Sequence, residues 1–187
     1  MASATVKEID TRALRHALGC FATGVTVITC ADKEGELYGV TANSFSSVSL
    51  EPPLVLWSLS NRSSSFDAFF SAEFFNIHVL EQGQIDVSNN FARPGDKFAN
   101  VNYQLDDNGV PELAQTLARF SCSTYACHEG GDHNIFIGYV VDFEFGDGEP
   151  LLFAQGEYSA TTLHPARISD LQKGRENNAP IEIEYWL

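Results

Sequence analysis

The residues of this chain best suited to chemistry are neutral and polar, and they come in clusters. Thr41-Ala42-Asn43-Ser44-Phe45-Ser46-Ser47-Val48-Ser49 places four serines, a threonine and an asparagine directly after a short apolar run. Hydroxyls and a carboxamide supply both donors and acceptors, which suits a ligand whose edge alternates carbonyl and N–H groups. The plainer alternative is a polar loop that bonds its own backbone. A second cluster, Ser58-Leu59-Ser60-Asn61-Arg62-Ser63-Ser64-Ser65, stands at an expected helix start. Free amides, hydroxyls and a guanidinium there suit a phosphate; a helix cap plus a loop would use the same residues. In Phe91-Ala92-Arg93-Pro94-Gly95-Asp96-Lys97-Phe98, two of the chain's 11 basic residues stand close together. A fourth segment, Gly130-Gly131-Asp132-His133, puts a histidine behind a turn open to close backbone approach.

Other chemistries lack their residues. No serine has the G-x-S-x-G context of a hydrolase elbow. There is no phosphate-binding loop of the G-x-x-x-x-G-K type, no G-x-G-x-x-G fingerprint, and no carboxylate pair that stands out for acid–base work. Cys122, Cys127, His128 and His133 invite a zinc reading, but they lack paired C-x2-C knuckles. Strand alternation would also put residues 122 and 127 on opposite faces. Small apolar filler is the better account of these cysteines. Chemistry, if present, is expected to come from a bound cofactor.

The 187 residues suffice for one domain with a large core, and the net charge is −14. A duplex-binding protein needs a basic face, and an anionic membrane surface needs the same, so neither nucleic acid nor membrane is expected as a partner. No run of ~18 apolar residues could span a bilayer. The start, MASATVKEID, lacks the apolar core of a secretory leader. A cytoplasmic protein with four reduced thiols follows.

The elements that must position these clusters read as follows. Residues 1–9 look like a loose tail. Asp10 can cap a helix over 11–21, with Leu14, Ala17, Leu18 and Phe21 on one stripe. Val25 to Thr29 and Leu37 to Thr41 read as strands about a turn at Asp32-Lys33-Glu34-Gly35. Ser46 to Leu50 and Leu54 to Leu59 read as strands around Pro52-Pro53. A helix after Ser65 should turn Phe66, Phe69 and Phe70 inward. Phe74 to Leu80 alternates, with Phe75, Ile77 and Val79 as the buried set. A short helix is expected between Gln82 and Phe91, and a turn at Asp106-Asp107-Asn108-Gly109. Leu117 to His128, His133 to Phe145 and Leu151 to Ser159 read as long strands, with Ile135, Ile137, Tyr139, Val141 and Phe143 on one face of the second. Many strands in a meander with few helices argue a mainly β, antiparallel barrel.

Several stretches together resemble the flavin reductase family, the small reductase components of two-component flavin-dependent monooxygenases. They are Phe21-Ala22-Thr23-Gly24-Val25-Thr26-Val27-Ile28-Thr29, Gly39-Val40-Thr41-Ala42-Asn43-Ser44-Phe45-Ser46-Ser47-Val48-Ser49-Leu50, Pro52-Pro53-Leu54-Val55, Phe75-Asn76-Ile77-His78-Val79-Leu80, and Gly131-Asp132-His133 ahead of Ile137-Gly138. They stand in the family's order over roughly residues 10–162, leaving 163–187 as an extension. The resemblance implies an FMN-binding split β-barrel with a few flanking helices, usually a homodimer, which reduces FMN or FAD with NADH or NADPH and passes the reduced flavin to a separate monooxygenase. Residues Val40, Thr41, Ala42, Asn43 and Ser44 would line the flavin ring, with Ser46 and Ser47 nearby. Ser58, Ser60, Ser64 and Ser65 would serve the ribityl chain and phosphate. Phe91, Ala92 and Arg93 would border its far end, and His133, with Tyr158 as a second contact, would meet the nicotinamide nucleotide. Hydride transfer needs alignment of the two rings and no proton machinery, in keeping with the missing acid–base pair. Two other readings stay open: a flavin-binding barrel without turnover, and a flavin-dependent oxidase of the pyridoxamine-phosphate type. The end Tyr185-Trp186-Leu187 is a candidate for docking on a second subunit.

Overall fold

The computed structural model describes residues 9–165. The expected tail, apart from Ile9, and the expected extension beyond Pro165, with its Tyr185-Trp186-Leu187 end, lie outside the described residues. In chain order the elements are α1 (Thr11–Leu18), β1 (Thr23–Gly24), β2 (Thr26–Ala31), β3 (Leu37–Ala42), β4 (Ser46–Leu50), β5 (Pro53–Ser60), α2 (Phe66–Ser71) and β6 (Phe74–Val79). Then follow α3 (Ile85–Ala92), β7 (Tyr103–Leu105), β8 (Pro111–Leu113), β9 (Ala118–Gly130), β10 (His133–Phe145), β11 (Leu152–Ala154) and β12 (Glu157–Ser159). All strand pairings are antiparallel. The main sheet has the order β3-β2-β6-β9-β10-β5-β4, beside a three-stranded β1-β11-β12 sheet and the β7–β8 hairpin.

Strands β2, β5, β6 and β10 send buried side chains into one core: Ile28, Trp57, Phe75, Ile77 and Phe136, with Phe69 of α2 among them. Trp57 stacks on Phe136 at 4.8 Å and meets Phe69 edge-on at 5.0 Å. Val40, Ala42 and Phe45 pack on the same core, so the sheet is rolled, with β3 facing β5. No strand ladder joins β3 to β4 or β5 among the described residues, and the roll is not closed by pairing. Gly138 of β10 allows the close approach of β9 and β6, because a Cβ there would come within 2.7 Å of the Phe75 ring and 2.9 Å of Cys122.

Several expectations need correction. The α1 cap forms, with Asp10 Oδ1 accepting from Arg12 N and Ala13 N, but Leu14, Leu18 and Phe21 are exposed. Phe69 is buried while Phe70 is exposed, because a helix of six residues can turn only one side to the core. The segment 151–159 is a hairpin, folded by left-handed backbone at Gln155 and Gly156. The long strands also break their alternation. The register of β9 on β10 shifts between Ile137 and Gly138 and again between Val140 and Asp142. The second shift makes Val141 an extra residue, so Phe143 lies opposite Phe120 and does not continue the Tyr139 face. The first brings Cys127 opposite Phe136, so Cys122 and Cys127 both pack on the inner core, contrary to simple parity.

A second core, with Val25, Val27, Leu80, Phe91, Leu113 and Leu151, lies on the other side of β2. Strands β2 and β6 are therefore buried on both faces, and the expected half-buried alternation of β6 gives way to full burial of Phe75 through His78. Their polar side chains must find partners inside. Thr29 Oγ1 donates to Pro111 O at 2.6 Å, and Asn76 Nδ2 donates to Asp106 Oδ2 at 3.0 Å. His78 Nδ1 lies 3.1 Å from Val27 O, and its Nε2 accepts from Leu113 N at 3.1 Å. These partners define a neutral ring that donates from Nδ1 and accepts at Nε2.

Burial pushes the His78 imidazole down to about 4 from its ordinary value. The unfolded chain takes up this proton near ~6.5, so it binds more protons than the folded chain between these values. Stability therefore falls as pH is lowered from about 6.5 to about 4, by up to about 3 kcal/mol from this group. Urea unfolding at pH 7 and pH 5 should show the loss, and a flat profile in His78→Gln should identify the group. An equally steep profile in that variant would assign the loss elsewhere.

Candidate functional site

A cleft of about 600 Å³ opens where β3 and β5 face each other without pairing. Its first wall is the end of β3 and the residues after it: Val40, Thr41, Ala42, Asn43 and Ser44. Its second is the end of β5 and the approach to α2, with Ser58, Ser60, Ser64 and Ser65. Phe91, Ala92 and Arg93, at the end of α3, form the third, and His133 also lines the cleft. The four sequence clusters thus meet at one place, although they are separated by up to 92 positions in the chain (41 to 133). Ser63, Leu59, Pro94, Gly95 and Lys97 also contribute.

Four candidates lie elsewhere. Ser46 and Ser47 are exposed on β4 and pair with Leu56 and Val55. Tyr158 does not line the cleft; its ring packs edge-on to Phe153 at 5.6 Å, and its hydroxyl meets Ser88 Oγ at 2.8 Å and Asn89 Oδ1 at 3.2 Å. The guanidinium expected for a phosphate in the serine-rich cluster, Arg62, is not in the wall either. Arg93 and Lys97 from the third cluster are the cations at the cleft.

Part of the polar set is spent on the frame. Ser44 Oγ accepts from Ser58 N at 2.9 Å and lies 3.2 Å from Ser58 O, so one hydroxyl ties the residues after β3 to the free edge of β5. Thr41 Oγ1 donates to Ser88 O at 2.6 Å and fixes β3 to α3. Ser60 Oγ and Ser63 Oγ accept from the amides of Arg62 and Ser65. Lys97 Nζ donates to Phe91 O at 2.8 Å, and desolvation lowers its pKa. Asn43, Ser58 Oγ, Ser64 and the Arg93 guanidinium have no such engagement among the described residues. His133 Nδ1 and Asp132 Oδ1 are 2.7 Å apart, and this hydrogen bond holds the Asp132 carboxyl below its ordinary range.

The lining combines neutral donors and acceptors with apolar Val40, Ala42 and Leu59 and the cations Arg93 and Lys97. That donor set fits a planar heteroaromatic ring carrying a phosphorylated polar chain. It lacks a grouping of three or more potential metal ligands among the described residues.

Residues 18–162 match the family model described as "Flavin reductase like domain". The chain belongs to this family. It is 47% identical over 149 residues to the FMN reductase (NADH) SmoA of Agrobacterium fabrum, covering 80% of this chain and 85% of that relative. It is 43% identical over 148 residues to the reductase component of the flavin-dependent trigonelline monooxygenase of Acinetobacter baylyi. That match covers 79% of this chain, which spans only 48% of that relative. Among solved structures, the NADH:FAD oxidoreductase SgcE6 of Streptomyces globisporus, in complex with NAD and FAD fragments, superimposes with a TM-score of 0.78. It is 36% identical, over 87% of this chain and 98% of that one.

In this flavin reductase-like domain the third wall depends on a residue that the cluster reading did not single out. Gly39 is in contact with the Phe91 ring, and a Cβ there would lie 2.4 Å from Phe91 Cε1. Phe91 is itself buried, in edge-on contact with Phe98 at 5.2 Å. Gly39→Ala should therefore push α3 off β3 and cost about 1–3 kcal/mol. Urea unfolding measures the loss, and Gly39→Ala/Phe91→Leu should recover part of it. A wild-type midpoint in the single variant would show that the ring yields freely.

Proposed function

We propose that this chain is an NADH- or NADPH-dependent flavin reductase that binds FMN or FAD in the β3–β5 cleft and supplies reduced flavin to a separate monooxygenase. The observation that carries the reading is the convergence of the Thr41–Ser44, Ser58–Ser65, Phe91–Arg93 and His133 segments on one cleft. The flavin, when bound, supplies the hydride-accepting ring. The chain's own residues bind and orient. Asn43 and the backbone around it offer hydrogen bonds to a ring edge, Ser58 and Ser64 offer hydroxyls to a polyol chain, and Arg93 offers charge to a phosphate. His133 lines the cleft, where its imidazole can donate to an incoming nicotinamide nucleotide while Asp132 fixes the ring. No side chain is required to move a proton in the hydride step.

The names of the relatives support both halves of this reading: one is an NADH-dependent FMN reductase and another the reductase component of a monooxygenase. The same reading places the protein in the cytoplasm; no helix among the described residues is long and apolar enough to cross a membrane. It also makes the protein a homodimer, for which the exposed Tyr139, Val141, Phe143 and Phe145 of β10 supply apolar surface.

Anaerobic mixing of the protein with FMN or FAD and NADH should bleach the flavin. Flavin binding without NADH consumption would instead support a non-catalytic flavin carrier. Asn43→Ala should weaken flavin binding by about 1–3 kcal/mol, and an unchanged Kd would remove Asn43 from the site. His133→Ala should raise KM for NADH several-fold and leave flavin affinity within about a factor of two, since only nucleotide binding is lost. A normal KM in a less stable protein would make His133 a turn residue alone. Light scattering should give twice 20.5 kDa; a monomer at micromolar concentration would overturn the dimer.

A further inference from the structure

The turn that carries Asp132 and His133 is tied to the end of β5 by two asparagines. Asn61 follows β5 directly, and Asn134 is the second residue of β10. Neither belongs to the cleft lining. Asn134 Nδ2 donates to Asn61 Oδ1 at 2.8 Å, across 73 positions of chain. Asn61 Nδ2 in turn donates to Gly131 O at 3.1 Å. The main-chain amide of Asn61 donates to Asp132 O at 3.0 Å. Cys127 Sγ completes the set, 3.6 Å from Asn134 Oδ1.

The placement of Asn134 gives this link its weight. The residue is 8% exposed and alternates with buried Phe136 along β10, on the side facing the core. A carboxamide buried there loses water and must recover hydrogen bonds, whereas an apolar side chain would have no such need. Its bond also has a direction. Asn61 Oδ1 can only accept, so receiving the Asn134 donor leaves Nδ2 as the group that faces the turn. Asn61 then holds both turn carbonyls, one with its side chain and one with its backbone. The ladders on either side of the turn end at the pairs Gly130–His133 and Ser60–His133. Asp132 Oδ1 meets His133 Nδ1, so the direction of the imidazole depends on where the turn places Asp132. The serine-rich wall has ties of its own. Ser63 N donates to Ser60 O at 2.9 Å, Phe66 N donates to Ser63 O at 3.1 Å, and Phe69 of α2 is seated in the core.

On the reading of His133 as the nucleotide contact, we infer that Asn61 and Asn134 are positioning residues for the nicotinamide nucleotide: they hold the Gly131-Asp132 turn so that His133 is oriented before the nucleotide arrives. A turn fixed beforehand leaves less to be ordered on binding. Loss of the link therefore acts on the nucleotide and not on the flavin, whose proposed contacts Asn43, Ser58, Ser64 and Arg93 take no part in it.

The test is steady-state kinetics with NADH, with FMN titration and urea unfolding alongside. Asn134→Leu has a similar size and no donor, and its unfolding midpoint should stay close to that of wild type. Asn61 is exposed, so Asn61→Ala cuts the same link without touching the core. Each should raise KM for NADH about threefold, while kcat and the FMN Kd stay within about twofold. In Asn134→Leu/His133→Ala, KM should be no higher than in His133→Ala, because a residue that acts through His133 then has nothing left to position. A role in stability alone would lower the midpoint and leave KM unmoved. A normal KM in both asparagine variants, beside a raised KM in His133→Ala, overturns the proposal and leaves the nucleotide reading standing. An effect that adds to that of His133→Ala also overturns it, as does FMN binding that weakens in step with KM. A normal KM in His133→Ala itself overturns the nucleotide reading and the proposal with it.

Discussion

The rolled sheet is left open between β3 and β5, and the rest of the architecture follows from that gap. Elsewhere in the sheet, neighbouring strands satisfy each other's backbone groups through ladders. At the gap, the β5 edge beyond Leu56 has no strand beside it, because β4 pairs with β5 only between Pro53 and Leu56. A buried backbone group without a partner costs free energy comparable to a lost hydrogen bond. The Ser44 hydroxyl meets that need at both backbone groups of Ser58. One side chain thus holds two walls together while leaving the space between them available.

The gap stays open because its sides are held from behind. Strands β2 and β6 lie between two cores, and neither has a solvent face. Their polar groups are tied to β3 and to the β7–β8 hairpin, as in Thr26 Oγ1 to Ala42 O at 2.7 Å and His78 Nε2 to Leu113 N. The second core also seats Phe91, and through it the end of α3. Stability and site geometry are therefore coupled: the Gly39–Phe91 contact belongs to the core and to the cleft wall at once. A side chain added at Gly39 acts on both.

The division of labour among the serines and threonines follows the same logic. Thr41 and Ser44 look like ligand groups when read along the chain, and both line the cleft, but their hydroxyls are used by Ser88 and Ser58. What they offer a ligand is shape. Asn43 between them has no such duty. Neutral groups dominate the cleft lining, and Arg93 and Lys97 are its cations. That arrangement suits a ligand with an uncharged ring and anionic tails.

The sequence by itself determined the strand-rich class, the turn between β2 and β3 and the Asp10 cap. These are local matters: alternation, turn residues and capping act over a few positions. The resemblance of ordered motifs from Phe21 to Gly138 supplied the family. Only the tertiary structure decided which polar groups were spent. Hydrogen bonds such as Thr41 to Ser88 or Ser44 to Ser58 join residues 47 and 14 positions apart, and nothing in local spacing encodes them. It also decided the two register shifts in β9–β10, which carry Cys127 inward and turn Phe143 away from the Tyr139 face. A bulge is set by how two long strands bend around a shared core, and simple alternation cannot register it.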